Sequence, residues 1–262
     1  MHASPSATAA AGGNTGTRPP SRRVVDAPMR MFHWLFALSF VGAYVTAESE
    51  HWRLLHVTLG YAFAGLLGFR VLYGLLGPRQ AGLGSLWRRV AGLPAWLRAL
   101  RTTRPLASVN WRQGQNLGMA LAIVVMLALV LPLVLSGYGS YNEWGDWLED
   151  VHEFFGNTFL TVVLAHLAFI AGLSVVRRQN QALPMLTGRQ PGQGPDLVQH
   201  NRVWLAGLLL LAVVAFGVWQ WRDSPRGLAP GRHSESASAA QPAGATPSRE
   251  PAVQRRRSST LT

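Results

Sequence analysis

Five long apolar segments, separated by polar and arginine-rich stretches, dominate the pattern of hydrophobic and polar positions. They lie at residues 30–47, 54–77, 117–138, 151–176 and 203–221. Each is close to the ~20 residues that an α-helix needs to cross the hydrocarbon core of a membrane. The last segment has no ionisable side chain and carries tryptophans at its ends, which is typical of a membrane interface. The pattern therefore predicts an all-α, integral membrane helical bundle.

The two ends of the chain have a different composition from the apolar segments. Residues 1–23 and 222–262 are rich in Ala, Gly, Ser and Pro, so we predict disordered tails, and residues 1–23 lack the apolar core of a signal peptide. Between them, residues 24–190 form the predicted membrane domain, with a basic loop at 78–116. This loop contains an amphipathic stretch, split at Pro94, that we expect to lie at the interface. Residues 191–221 supply a further loop and a fifth transmembrane helix.

Charge fixes the predicted orientation. The formal net charge is +12, and the arginines cluster beside the apolar segments, which favours membrane topology over nucleic-acid binding. The N-terminal tail, the loop 78–116 and the loop after the fourth segment are arginine-rich, so we expect them in the cytoplasm. The loop between the third and fourth segments has no arginine and is acidic, and should face outward. Five spans then place the C-terminus on the outer side of the membrane.

Histidine is the main candidate metal ligand, because the chain has no cysteine. That absence excludes thiolate sites, iron–sulfur clusters and covalently attached haem within this chain. Four histidines lie in the apolar segments: His33, His56, His152 and His166. The last two are fourteen residues apart, so they project from one face of a helix, about 21 Å apart along its axis.

The predicted topology sorts these histidines into two levels. His33 and His166 fall near the cytoplasmic side, and His56 and His152 near the outer side. Each pair joins two helices at one depth, which suits a flat porphyrin clamped between axial imidazoles. For any single histidine, a hydrogen-bonded or interfacial position stays open as the alternative. Arg70 and Arg30, near the inner level, either neutralise porphyrin carboxylates or extend to the membrane surface.

Three stretches carry a family resemblance: DAPMRMFHW, LLHVTLGYAFAGLLGFRVLYGLLGPR and VHEFFGNTFLTVVLAHL. Together they resemble the bacterial cytochrome b-561 family, which includes the b-type cytochrome subunits of nickel–iron hydrogenases, over residues 24–190. The resemblance implies a four-helix core with two non-covalent haem b groups, each held by two histidines. It assigns the ligand positions to His33, His56, His152 and His166, in the pairs that depth predicts.

The chain departs from the family pattern at one motif, and two of its segments lie outside the resemblance. Many relatives begin helix three with Gly-His-Asn-Pro, whereas this chain has Gly114–Gln115–Asn116–Leu117. A role of that histidine therefore does not carry over. The fifth helix and the C-terminal tail lie outside the common core.

Transmembrane electron transfer is the expected function. Two six-coordinate haems have no open position for a substrate. The resemblance implies exchange between membrane quinone and a periplasmic c-type cytochrome, or a hydrogenase or dehydrogenase subunit. Whether the chain acts as part of a quinone-linked oxidoreductase, and whether it forms a homo-oligomer, stays open. Two alternatives remain: a haem-containing membrane anchor of a larger oxidoreductase complex, and a proton or solute transporter with a histidine relay.

Overall fold

The computed structural model describes residues 20–78, 82–102 and 110–223, and most of these residues are helical. In chain order the elements are β1 (Ser21–Arg23), α1 (Ala27–Thr46), α2 (Arg53–Leu76), α3 (Leu83–Val90), α4 (Leu93–Thr102), α5 (Trp111–Tyr141), α6 (Trp147–Arg177), α7 (Leu183–Thr187), β2 (Arg189–Pro191) and α8 (Val203–Asp223). A single 3-10 turn at Glu50–Trp52 leads into α2. The predicted all-α membrane bundle is confirmed.

The five apolar segments correspond to α1, α2, α5, α6 and α8. Helices α5 and α6 have 31 residues each, about 46 Å at ~1.5 Å per residue, so both exceed a ~30 Å hydrocarbon core. Both helices extend beyond their apolar segments because polar residues continue them. At the start of α5, for example, the Asn110 side chain caps the helix by accepting a hydrogen bond from the Gln113 amide.

Four described helices are long and apolar enough to cross a membrane: the helical segment Glu50–Leu76 and helices α5, α6 and α8. Helix α1 has 20 residues but is less apolar, since it contains Arg30 and His33. Its crossing of the membrane stays a prediction. The structure does place α1 inside the bundle, packed against α2 and α8.

Consecutive long helices run in alternating directions. Tyr73 near the end of α2 binds Asp26 at the start of α1, and Arg177 at the end of α6 binds Gln115 near the start of α5. Helix α2 also packs on α5, and α8 packs on the outside of α1 and α2. The bundle therefore has a β1 end, which carries β1, β2, α3, α4 and α7, and an opposite end, which carries the α1–α2 and α5–α6 loops.

Aromatic side chains fill the middle of the bundle. Four helices contribute the buried residues Phe40, Phe63, Val130, Leu133 and Phe159. Phe159 is only 2% exposed, and its ring centroid lies 5.6 Å from that of Phe63, at a right angle. We call these five residues the central cluster. It holds α6 against α1 and α2.

The boundary of the predicted N-terminal tail is corrected by the structure. Residues 21–23, placed in that tail by the sequence, form β1 and pair antiparallel with β2, Arg22 opposite Gln190. The ladder continues where the amides of Val24 and Val25 both bind the Gly188 carbonyl. The physical reason is backbone pairing with a strand 166–170 residues further along the chain, which no local pattern reveals. The rest of the predicted tails lies outside the described residues, except Pro20, which precedes β1, and residues 222–223, which end α8.

The predicted basic loop is partly helical. Its amphipathic stretch forms α3 and α4, which pack against α5. Pro94 lies in the first turn of α4, where its missing amide costs no hydrogen bond, so the break falls just before it, at Ala91 and Gly92. The loop also ends earlier than predicted, because α5 begins at Trp111.

Candidate functional site

His56 of α2 and His152 of α6 face each other. Their ring centroids are 5.9 Å apart and the rings are nearly perpendicular, at 85°. Both side chains are half-buried. His56 lies in the first turn of α2 and His152 in the second turn of α6, so the antiparallel course of the bundle brings the two helix starts to one level. We call these residues the His56–His152 pair.

Backbone carbonyls fix the protonation of both rings. His56 Nδ1 lies 2.8 Å from the Ala43 carbonyl oxygen, and His152 Nδ1 lies 2.9 Å from that of Leu133. A carbonyl only accepts hydrogen bonds, so each Nδ1 carries the proton. In a neutral imidazole the lone pair then belongs to Nε2. Each ring is thus prepared as a metal ligand through Nε2, with its orientation set by its other nitrogen.

His33 of α1 and His166 of α6 come together at the level nearer the β1 end. The two imidazoles are close enough to interact electrostatically, and both are half-buried. Within the part of the chain that the structure describes, the Nδ1 atoms of His33 and His166 are buried and make no hydrogen bond. We call these residues the His33–His166 pair.

The central cluster separates the two pairs. On α6, Phe159 lies seven residues from His152 and seven from His166, or about 10 Å along the axis in each direction. On α1 the ring of Phe40 lies against it, with centroids 4.5 Å apart. The structure therefore brings together the same two pairs that the predicted depth suggests, at two levels of one bundle.

A family model described as prokaryotic cytochrome b561 matches residues 24–188, which is more than half of the chain and includes both histidine pairs. The chain belongs to the prokaryotic cytochrome b561 family. Comparisons with curated proteins and with solved structures gave no match. Membership of the cytochrome b561 family implies b-type haem and electron transfer across a membrane.

The residues of this cytochrome fit a b-type haem. Two imidazole nitrogens bound about 2 Å from one metal, on opposite sides, place the ring centroids roughly 6 Å apart, close to the spacing of the His56–His152 pair. In the described residues no group of three or more His, Cys, Asp or Glu could hold a bare metal ion. A porphyrin iron needs only two protein ligands, so pairs are sufficient.

The spacing of the helices also suits a flat group. Helix α6 makes its closest and most extensive backbone approach to α5, whereas it reaches α1 and α2 mainly through long side chains. One such contact joins Tyr44 to Asn157, whose side-chain oxygen accepts the tyrosine hydroxyl at 3.0 Å. The two histidine pairs lie across this wider separation.

Arg70 is buried, not extended to the membrane surface. It is 5% exposed, and among the described residues its Nη1 makes no hydrogen bond. Asp26 lies close enough to interact with it electrostatically. Arg30 donates from Nη1 to the Leu186 carbonyl at 3.0 Å, while its buried Nε has no partner in the described residues. Both guanidinium groups thus have a buried N–H that could donate a hydrogen bond to an anionic group.

Sequence reasoning missed a polar cluster at the β1 end. Asp26 is 3% exposed; it caps α1 by accepting from the Met29 amide at 3.2 Å and also accepts the Tyr73 hydroxyl. Arg202, just before α8, interacts with the same tyrosine. The Asp-Ala-Pro sequence before an apolar run is a helix-start signal that identifies the cap, but nothing local identifies Tyr73 as its partner.

Gly137 was also missed. A Cβ at this position of α5 would lie 2.7 Å from His152 Cε1 and 2.8 Å from its Nδ1. The imidazole therefore packs directly on the α5 backbone, next to the Leu133 carbonyl that binds it. Only glycine leaves this space.

Proposed function

We propose that this cytochrome transfers electrons across the bacterial inner membrane through two b-type haems, each ligated by two histidines. His56 and His152 would hold one haem, and His33 and His166 the other. The facing imidazoles of the His56–His152 pair, with Nδ1 bound to backbone and Nε2 free to ligate, are the observation that carries the proposal.

When bound, each haem would supply an iron that cycles between two oxidation states, and two histidine ligands to that iron would leave it able to carry electrons but without a site for oxygen. The protein contributes the ligands, their fixed orientation and a dry environment. The buried donors of Arg70 and Arg30 are the groups that would neutralise the carboxylates of the haem at the His33–His166 pair.

Charge at the two ends of the bundle supports an orientation. In the described residues the β1 end carries most of the arginines, among them Arg88, Arg89, Arg98, Arg101, Arg177 and Arg189. The opposite end carries the acidic α5–α6 loop. By the positive-inside rule the β1 end would face the cytoplasm and the His56–His152 pair the periplasm.

Membrane quinone is the partner that we propose on one side of the relay. On the other side we propose a periplasmic c-type cytochrome or a hydrogenase or dehydrogenase subunit.

Helix α8 gives this cytochrome a further apolar surface, because it packs on α1 and α2 with one face and leaves residues such as Leu208 and Leu211 exposed. Lipid would cover that surface.

Haem content and visible spectra of the purified protein test the proposal. The wild type should hold two haems per chain with the reduced absorption bands of b-type haem, and His56→Ala and His33→Ala should each retain one. His51→Ala is the matched control, since His51 lies five residues before His56 but is exposed in the 3-10 turn. It should retain both haems.

Two results would reject the proposal. A wild-type protein without haem would remove electron transfer as the function and favour a histidine relay for protons. Two haems with unchanged spectra in His56→Ala or His33→Ala would show that the ligands are other residues.

A further inference from the structure

Each carbonyl that orients an imidazole of the His56–His152 pair also accepts a hydrogen bond from a hydroxyl. Thr46 Oγ1 lies 3.1 Å from the Ala43 oxygen, which binds His56. Ser136 Oγ lies 3.1 Å from the Leu133 oxygen, which binds His152. The two hydroxyls come from different helices, α1 and α5, yet the arrangement is the same.

The match between the two hydroxyls extends to their second acceptor. Each also lies 2.7 Å from the carbonyl one residue earlier, that of Gly42 for Thr46 and that of Pro132 for Ser136. A hydroxyl has one proton, so each shares it between two neighbouring carbonyls. Both side chains are buried, Thr46 at 9% and Ser136 at 4% exposure, so solvent does not compete for these bonds.

A shared carbonyl is a weaker acceptor for the imidazole. The more strongly Nδ1–H donates, the more basic the ring becomes at Nε2. A more basic ligand stabilises the oxidised, more positive iron and lowers the reduction potential. A hydroxyl that donates to the same carbonyl draws electron density from it and weakens the hydrogen bond to the imidazole. The hydroxyl therefore raises the reduction potential.

We propose that Thr46 and Ser136 are positioning residues that raise the reduction potential of the haem at the His56–His152 pair, through the carbonyls of Ala43 and Leu133. The inference rests on the proposed function. Because the acceptors themselves are backbone atoms, no substitution removes them. The two hydroxyls are therefore side-chain positions at which the sequence can adjust these imidazole bonds.

Redox titration of the purified holoprotein, followed in the visible spectrum, tests this inference. In Thr46→Val and in Ser136→Ala, one haem should become harder to reduce. We expect its redox equilibrium constant to fall roughly threefold in each variant and roughly tenfold in the double variant, about 30 and 60 mV for a one-electron couple. The second haem should not change. His33→Ala, which keeps only the haem at the His56–His152 pair, identifies the one that responds.

Three variants separate tuning from a structural role. Thr58→Val removes another buried hydroxyl, one that binds the Leu54 carbonyl at 2.8 Å on the same helix as His56. No imidazole among the described residues binds that carbonyl, so both potentials should stay at wild-type values. Thr46→Ser and Ser136→Thr keep the hydroxyl and should also keep the wild-type potential.

The outcomes are distinguishable. Two haems with unchanged potentials in Thr46→Val and Ser136→Ala would overturn the inference and leave the proposed function intact. An equal shift in Thr58→Val, or in both haems, would overturn it as well. Loss of the haem from Thr46→Val or Ser136→Ala would show a structural requirement for that hydroxyl and overturn the tuning role there. A wild-type protein without haem would reject the proposed function itself.

Discussion

Phe159 packs against Phe40 with ring centroids 4.5 Å apart, halfway along α6 between His152 and His166. The contact is part of the central cluster, which fills the space between the two histidine pairs with apolar side chains. A dry, close-packed interior of this kind excludes water and resists deformation. The spacing of the two pairs therefore depends on the packing at this contact.

Phe159→Ala should destabilise the protein by about 3–5 kcal/mol, because a buried ring is replaced by a cavity. Thermal unfolding in detergent would measure the effect. Phe159→Leu should cost less, since it refills part of the volume. Phe154→Ala, on the exposed side of the same helix, is the control and should change stability little; a comparable loss there would mean that burial is not the cause.

Gly137→Ala should disturb only one histidine pair. The added Cβ would overlap the His152 ring, and α5 cannot move away without breaking its packing on α6. We expect about half of the haem to be lost, and thereby about half of the absorbance of the reduced protein. In Gly172→Ala the Cβ would meet no described atom within 4 Å, so that variant should keep its haem. Full occupancy with an unchanged spectrum in Gly137→Ala would contradict the packing argument.

Tyr73→Phe should lower the free energy of unfolding by about 1.5–3 kcal/mol, the range for a hydrogen bond to a charged group. The substitution removes the hydroxyl that Asp26 accepts, while the ring keeps its stacking on Phe69. Tyr141→Phe, at a half-exposed position, provides the comparison and should unfold like the wild type. If Tyr73→Phe were as stable as the wild type, the hydrogen bond would make no net contribution to the free energy of unfolding.

Arg70→Gln should make one haem harder to reduce. Reduction adds an electron, so a buried positive charge nearby favours it, and removal of that charge should cost about 1–2 kcal/mol of redox free energy. Arg53→Gln changes an exposed arginine at the opposite end of α2 and should have no such effect. Unchanged potentials in Arg70→Gln would place its guanidinium away from both haems.

The long helices and the histidine pairs were accessible to sequence reasoning because both follow from one-dimensional rules. Apolar length identifies membrane-crossing helices, and alternating direction assigns each histidine a depth. The boundaries were less accurate where polar residues extend a helix past its apolar run, as at the start of α5. Hydropathy includes α1 among the five predicted spans, but Arg30 and His33 make it less apolar than the four described helices that are long and apolar enough to cross a membrane.

Interactions between polar groups that are far apart in the sequence could not be predicted from it. The bond of Tyr73 to Asp26 joins residues 47 positions apart, and β1 pairs with a strand that follows α6. The hydroxyls of Thr46 and Ser136 look like ordinary helix residues in the sequence, because their relation to a histidine exists only through a third residue's carbonyl. Such contacts depend on how helices rotate about their axes, which the apolar pattern leaves undetermined.

The start of α1 is held by parts of the chain that are synthesised more than 160 residues after it. The amide of Ala27 bonds to the Asn201 side chain at 3.0 Å, and that of Val24 to the Gly188 carbonyl. A growing chain therefore emerges with all four histidines before the anchors of its own beginning exist. His33 stands within two turns of that unanchored start, whereas the contacts of His56 and His152 are complete once α6 has been made. Biogenesis should thus proceed in a fixed order, with the His56–His152 level formed first and the His33–His166 level finished only when α8 joins the bundle.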